Sequence, residues 1–74
     1  MKATEIVRQI MKTKEVRVAA LADKLIIKSN VLSERLSQGN ISIVKLDEML
    51  RLMDYKIMIV PRDTTEREGW YRAE

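Results

Sequence analysis

The sequence predicts a mainly α-helical domain in which four short helices are followed by one β-strand. Three observations support this fold class. Apolar residues recur every three or four positions through most of the chain, which is the spacing of a buried helix face. Near residue 55 this spacing gives way to alternation, which is typical of a strand. The chain has 74 residues, which is enough for one small domain with one core.

The first two helices follow from two apolar stripes. We expect helix one at about residues 5–14, with Thr4 as its N-cap. We expect helix two at about residues 18–25, where alanines add helix propensity. The stripes consist of Ile6, Val7, Ile10 and Met11 in helix one, and of Val18, Leu21, Ala22 and Leu25 in helix two.

The next two helices are bounded by turn and cap residues. Helix three is predicted at about residues 29–36, and the Gln-Gly-Asn turn at 38–40 ends it. Ser42 is the expected N-cap of helix four, whose apolar face reaches Met53. Asp54 then tolerates a left-handed conformation better than most residues.

A strand is predicted at residues 55–60, where isoleucines alternate with Lys56, Met58 and Val60. Pro61 ends the strand. Residues 62–74 form a short acidic tail, with a candidate second strand at 70–72. An isolated strand is not stable, so residues 55–60 need a partner strand. The partner is the same strand of a second chain, residues 70–72 of the same chain in a hairpin, or both. We expect the homodimer, with an interface formed by Tyr55, Ile57, Met58, Ile59, Val60 and Trp70.

Composition excludes several classes of function. The chain has no cysteine and no histidine, so disulfides, thiolate nucleophiles, imidazole bases and Cys/His zinc sites are absent. Carboxylates, serines and lysines are scattered without the spacing of an active site, so we expect no enzyme, cofactor or metal. No apolar run approaches the ~20 residues of a membrane span, and the N-terminus does not resemble a signal peptide. We therefore expect a cytoplasmic protein of a bacterial cell, associated with the nucleoid.

Charge is distributed unevenly along the chain. Residues 1–62 carry 12 basic and 7 acidic side chains, a net charge of +5, whereas residues 63–74 carry −2. A basic body of this size fits a polyanionic partner such as nucleic acid.

One segment, residues 18–36, resembles the helix-turn-helix of the phage-repressor and Cro-like (XRE-type) family, in particular its small bacterial and phage members. The resemblance covers about residues 4–61 and implies a lambda-repressor-like four-helix domain with a C-terminal β-strand or hairpin. Two short helices joined by a tight link are the arrangement of that motif. The matching positions are Leu21-Ala22, Leu25, Ile27, Leu32-Ser33 and Leu36.

The resemblance implies a DNA-binding role for helix three. As the recognition helix in the major groove, it exposes candidate base-reading residues, while flanking residues contact phosphates. The family further implies a small, repressor-like transcriptional regulator of phage or mobile-element origin. It acts as a homodimer on a pseudo-palindromic double-stranded operator, without a small-molecule ligand. The base-reading candidates are Ser29, Asn30, Ser33 and Glu34, and the phosphate candidates are Arg17, Lys24, Lys28, Arg35, Gln38 and Asn40.

The chain departs from the family pattern at positions where glycine is common. These positions hold Glu15, Ile26 and Asp54. A β-branched residue is costly at positive φ. Either the link after helix two avoids the left-handed conformation, or Ile26 is strained.

A second function class remains open from the sequence. The chain could be a protein-interaction module or an antitoxin-like adaptor that uses the same fold. Its contact surface would be formed by Met49, Met53, Met58 and Trp70.

Overall fold

The computed structural model describes residues 1–73, and within them it is mainly α-helical, as predicted. Four α-helices form in chain order: α1 (Ala3–Lys14), α2 (Val18–Leu25), α3 (Ser29–Ser37) and α4 (Ile43–Arg51). Their bounds lie within two residues of the sequence prediction for α1, α2, α3 and the start of α4. Within residues 1–73 no helix has both the length and the apolar character that crossing a bilayer requires.

Every helix contributes to one core. α3 packs against α1 and α2, and α4 packs against the same two helices. Each fully buried aliphatic side chain contributes about 1.5–3 kcal/mol relative to an exposed one, so this cluster is the main source of stability. The buried apolar residues are Ile6, Val7, Ile10, Met11, Leu21, Ala22, Leu32, Leu36, Met49, Leu50 and Met53.

The prediction that Thr4 caps α1 was wrong. α1 begins one residue earlier, at Ala3, and its N-cap is Lys2, which makes no side-chain cap bond. Thr4 is buried inside the first turn, and its Oγ1 donates a hydrogen bond of 2.8 Å to the backbone oxygen of Gln38. The hydroxyl therefore provides a hydrogen-bond donor to a carbonyl just after α3. This bond connects the start of α1 to the end of α3. The predicted cap of α4 is confirmed, because Ser42 Oγ accepts from the Lys45 amide at 3.3 Å.

Three chain reversals use left-handed residues without glycine. Glu15, Ile26 and Asp54 have φ values of 55°, 59° and 64°. The alternative in which Ile26 avoids the left-handed region is excluded, so the residue is strained. Around Ile26 the two backbone bonds of a Schellman motif form: its own amide donates to Asp23 O, and the next amide donates to Ala22 O.

Tertiary packing explains why these reversals tolerate side chains. The residue after each left-handed position is Val16, Ile27 or Tyr55, and each of the three packs against the core. Its amide bonds back to the carbonyl five residues earlier, at 2.8 to 3.0 Å. Burial of that following residue fixes the turn, and the left-handed residue before it adopts the conformation that the turn requires.

The predicted C-terminal strand is not formed in the single chain. Within residues 1–73 the structure contains no strand, so 55–60 and 70–72 do not pair as a hairpin. Tyr71 instead packs against the core, and its ring centroid lies 6.2 Å from that of Tyr55. The acidic tail is thus docked on the helical body through residue 71. Pairing with a second chain stays a prediction.

Candidate nucleic-acid interface

The two faces of α3 differ sharply in composition. Leu32 and Leu36 are 0% and 2% exposed, and they fix one face of the helix in the core. The four predicted base-reading residues, Ser29, Asn30, Ser33 and Glu34, are all exposed. Because side chains three and four residues apart share a face, the polar residues follow the solvent side of α3.

The link between α2 and α3 holds this face outward. α2 ends at Leu25 and α3 begins at Ser29, so three residues separate the two helices. Leu21 and Ala22 are buried on the α2 side of the contact. Ala22 has a small side chain, and α2 and α3 pack against each other at this link.

The predicted phosphate-contacting residues surround α3. Lys28 is the N-cap of α3, and Arg17 is the N-cap of α2. Both are exposed, as are Lys24 in the last turn of α2 and the pair Gln38 and Asn40 after α3. Arg35 is half-buried on α3.

A shallow groove brings part of this set together. It has a volume of about 230 Å³ and lies between the second half of α3 and the start of α4. Four predicted residues line it. The other three base-reading candidates, Ser29, Asn30 and Ser33, lie outside it, as do the phosphate candidates Arg17, Lys24 and Lys28. The four are Glu34, Arg35, Gln38 and Asn40.

The groove also contains residues that sequence reasoning missed. Ser42 and Lys45, from the start of α4, line it opposite α3, and Val31 lies on the α3 side. The sequence could have placed Lys45 in the first turn of helix four, because it lies three residues after the predicted N-cap Ser42. With Arg35 it gives the groove two cations and one anion, Glu34.

Within residues 1–73 the ion pairs lie away from the predicted DNA-contact residues. The two ion pairs described in residues 1–73 join Arg51 to Asp47 on α4 and Arg72 to Glu66 in the tail. Neither involves a predicted DNA-contact residue.

The predicted dimer residues divide into two groups. Tyr55 and Ile57 are half-buried and pack against their own core. Met58, Ile59, Val60 and Trp70 are 54%, 93%, 42% and 40% exposed. The Lys14 ammonium lies 5.8 Å from the centroid of the Tyr55 ring, which further ties that residue to its own chain.

The surface predicted for a protein-interaction module does not form as a unit. Met49 and Met53 are 0% and 3% exposed and belong to the core, leaving Met58 and Trp70 outside. Flexible methionines often fill irregular gaps in cores, as do Met49 of α4 and Met53 just after it.

Comparison of the chain with family models, with curated proteins and with solved structures finds no match.

Proposed function

We propose that this protein binds double-stranded DNA sequence-specifically through α3 and acts, as a homodimer, as a small repressor-like transcriptional regulator. The observation that carries the proposal is the two-sided character of α3. One face is fixed by Leu32 and Leu36 in the core, and the other presents Ser29, Asn30 and Glu34 to solvent. Such a helix is fixed on one side by the core and exposes polar side chains near its N-terminal end. This arrangement suits binding in the major groove.

The chemistry of the exposed face supports direct readout of bases. Asn30 has the paired donor and acceptor that match adenine N7 and N6. Glu34 accepts a hydrogen bond from the amino group of cytosine, while hydroxyls of the two serines accept or donate. Lys28, the N-cap of α3, and Arg35, on α3, supply the positive charge that phosphates require.

Selection of bound sequences from a random duplex pool tests the proposal. We expect enrichment of a pseudo-palindrome whose half-sites lie about one helical turn, ~34 Å, apart. Affinity for the selected duplex should fall steeply between 50 and 200 mM salt, because each phosphate contact releases counterions. A pool that yields no consensus, together with affinity insensitive to salt, would refute the proposed function and favour a protein partner.

Matched variants separate base reading from charge. Asn30→Ala should weaken binding to the selected site by about 1–3 kcal/mol and relax preference at one base pair. Gln9→Ala, an exposed amide on α1, is the control and should change nothing. Lys28→Ala should instead weaken binding to all sequences and lower the salt slope by about 1, whereas Lys12→Ala on α1 should not.

A further inference from the structure

The start of α1 packs against the turn at residues 38–40, which follows α3. Buried Thr4 donates its hydroxyl to the Gln38 carbonyl at 2.8 Å. Lys2 is the N-cap of α1, and its carbonyl accepts a hydrogen bond from the Ile6 amide at 3.1 Å. The first bond fixes α1 beside the turn, and the second fixes the backbone of Lys2 in the first turn of α1. A cation from the beginning of the chain is therefore held near two predicted phosphate contacts.

The side chain of Lys2 lies along Gly39, in the middle of that turn. A Cβ on Gly39 would lie 3.4 Å from Lys2 Nζ, 3.5 Å from Cδ and 3.8 Å from Cε. The end of the lysine side chain therefore follows the backbone of the glycine, and Lys2 as a whole is exposed. Its ammonium is placed next to the residue that separates Gln38 from Asn40, both of which are exposed.

Two further cations lie on the groove that borders the same turn. Arg35 of α3 and Lys45 of α4 line it, together with the amide side chains on either side of the glycine. With Lys2, the surroundings of the turn hold three cations, which come from α3, from α4 and from the cap of α1. The groove lining contains one carboxylate, that of Glu34, and neither ion pair described in residues 1–73 includes any of the three cations. Cations beside amide donors are groups that bind a phosphate.

From this geometry we propose that Lys2 binds a phosphate of the DNA backbone at the turn 38–40, beside the phosphates contacted by Gln38 and Asn40. The inference rests on the proposed DNA binding and adds the start of α1 to the interface. The ammonium group is a point charge, which attracts a phosphate oxygen and does not distinguish one base from another. Its contribution is therefore expected on every sequence, whereas that of Asn30 is expected at one base pair.

The same position gives Lys2 an alternative, purely structural role. The C-terminal end of a helix carries partial negative charge, and a nearby cation stabilises it. α3 ends at Ser37, two residues before Gly39. In that role Lys2 would stabilise the fold without touching DNA. The two roles are distinguished by measuring folding and DNA binding on the same variants.

The first experiment measures the salt dependence of affinity for the selected duplex. Lys2→Gln, in the full chain, should weaken binding about five- to tenfold per protomer near 100 mM salt and lower the salt slope by roughly 0.9 per protomer. The loss should be the same on an unselected duplex, and Lys2→Arg should restore both quantities. Lys12→Gln is the matched control, because it removes the same charge from α1 ten residues, or about 15 Å, farther along the helix.

A second experiment assigns the contact to one phosphate. Single phosphates of the selected duplex are replaced by neutral methylphosphonates, one position at a time. Wild type should lose affinity at each phosphate that it contacts. Lys2→Gln should lose nothing further at one of these phosphates, because the charge that it would pair with is already gone. Asn40→Ala should become insensitive at the same phosphate or at the adjacent one.

The outcomes separate the contact from the proposed function. A lower Tm for Lys2→Gln with an unchanged salt slope would overturn the contact and assign the residue to the end of α3. An equal loss in Lys12→Gln would overturn it too, because only net charge would then matter. In both cases wild-type binding to the selected duplex keeps the proposed function intact. A wild type that binds no duplex refutes the function, and the contact with it.

Discussion

Replacement of Ile26 by glycine should stabilise the protein. Ile26 has φ 59° and ψ 46°, a left-handed conformation in which the Cβ of an L-residue crowds the following carbonyl oxygen. That conformation costs about 1–2 kcal/mol for a residue with a Cβ. Because the side chain is 90% exposed, its removal sacrifices almost no burial.

The expected gain is smaller than the strain that is removed. Glycine has more conformational freedom to lose on folding, about 0.5–1 kcal/mol relative to alanine. The net increase in the free energy of unfolding is therefore roughly 0.5–1 kcal/mol. For a domain of this size each kcal/mol raises the Tm by about 4–8 °C, so a rise of roughly 2–8 °C is expected.

A thermal melt followed by circular dichroism measures this change, and two control variants make it specific. Ala20→Gly, at an exposed position inside α2, should lower the free energy of unfolding by about 0.5–1 kcal/mol. Ile26→Ala keeps the Cβ in the left-handed conformation and should recover only part of the gain. A lower Tm for Ile26→Gly than for wild type would refute the reasoning, because it would show that the isoleucine side chain contributes more than its conformation costs.

Three further predictions follow from the packing. Thr4→Val should lower the free energy of unfolding by about 1–2 kcal/mol, because the Gln38 carbonyl loses its hydrogen-bond donor. Thr4→Ser keeps the hydroxyl and should retain most of the stability, and urea titration distinguishes the two variants. Tyr71→Ala should release the tail from the core and make residues 62–73 faster to cleave in limited trypsin digestion, and unchanged cleavage would contradict the observed docking. Ile59→Asp should leave the thermal stability of the monomer unchanged, since this residue is 93% exposed, while it shifts sedimentation from dimer to monomer.

Periodicity was sufficient to locate the helices and most of the core. Leu21 and Ala22 of the predicted α2 stripe are buried, and so are Leu32 and Leu36 of the predicted third helix. Leu25 and Ile27, which the sequence places in the same contact, are half-buried against the core. Helical spacing is a property of each segment by itself, so it can be read without knowing what the segment packs against. The exposure of the candidate DNA-contact face follows from the same spacing, because the residues opposite a buried stripe are exposed.

The role of Thr4 and the groove between α3 and α4 could not be predicted from local patterns. A threonine before an apolar stripe has the pattern of an N-cap, yet its hydroxyl bonds to a carbonyl 34 residues away. Lys45 joins Arg35 in the groove only because the turn after α3 brings the start of α4 beside it. Both contacts depend on how the helices pack.

The sequence by itself determined one small domain without cysteine or histidine, with four helices and a polar face on the third. These properties depend on composition and on the local spacing of side chains. Only the tertiary structure decided the backbone conformation of Ile26. It is left-handed, although a β-branched residue disfavours positive φ. The physical reason is that the next residue, Ile27, packs against the core while its amide bonds to Ala22 O, and this packing is a property of the whole fold.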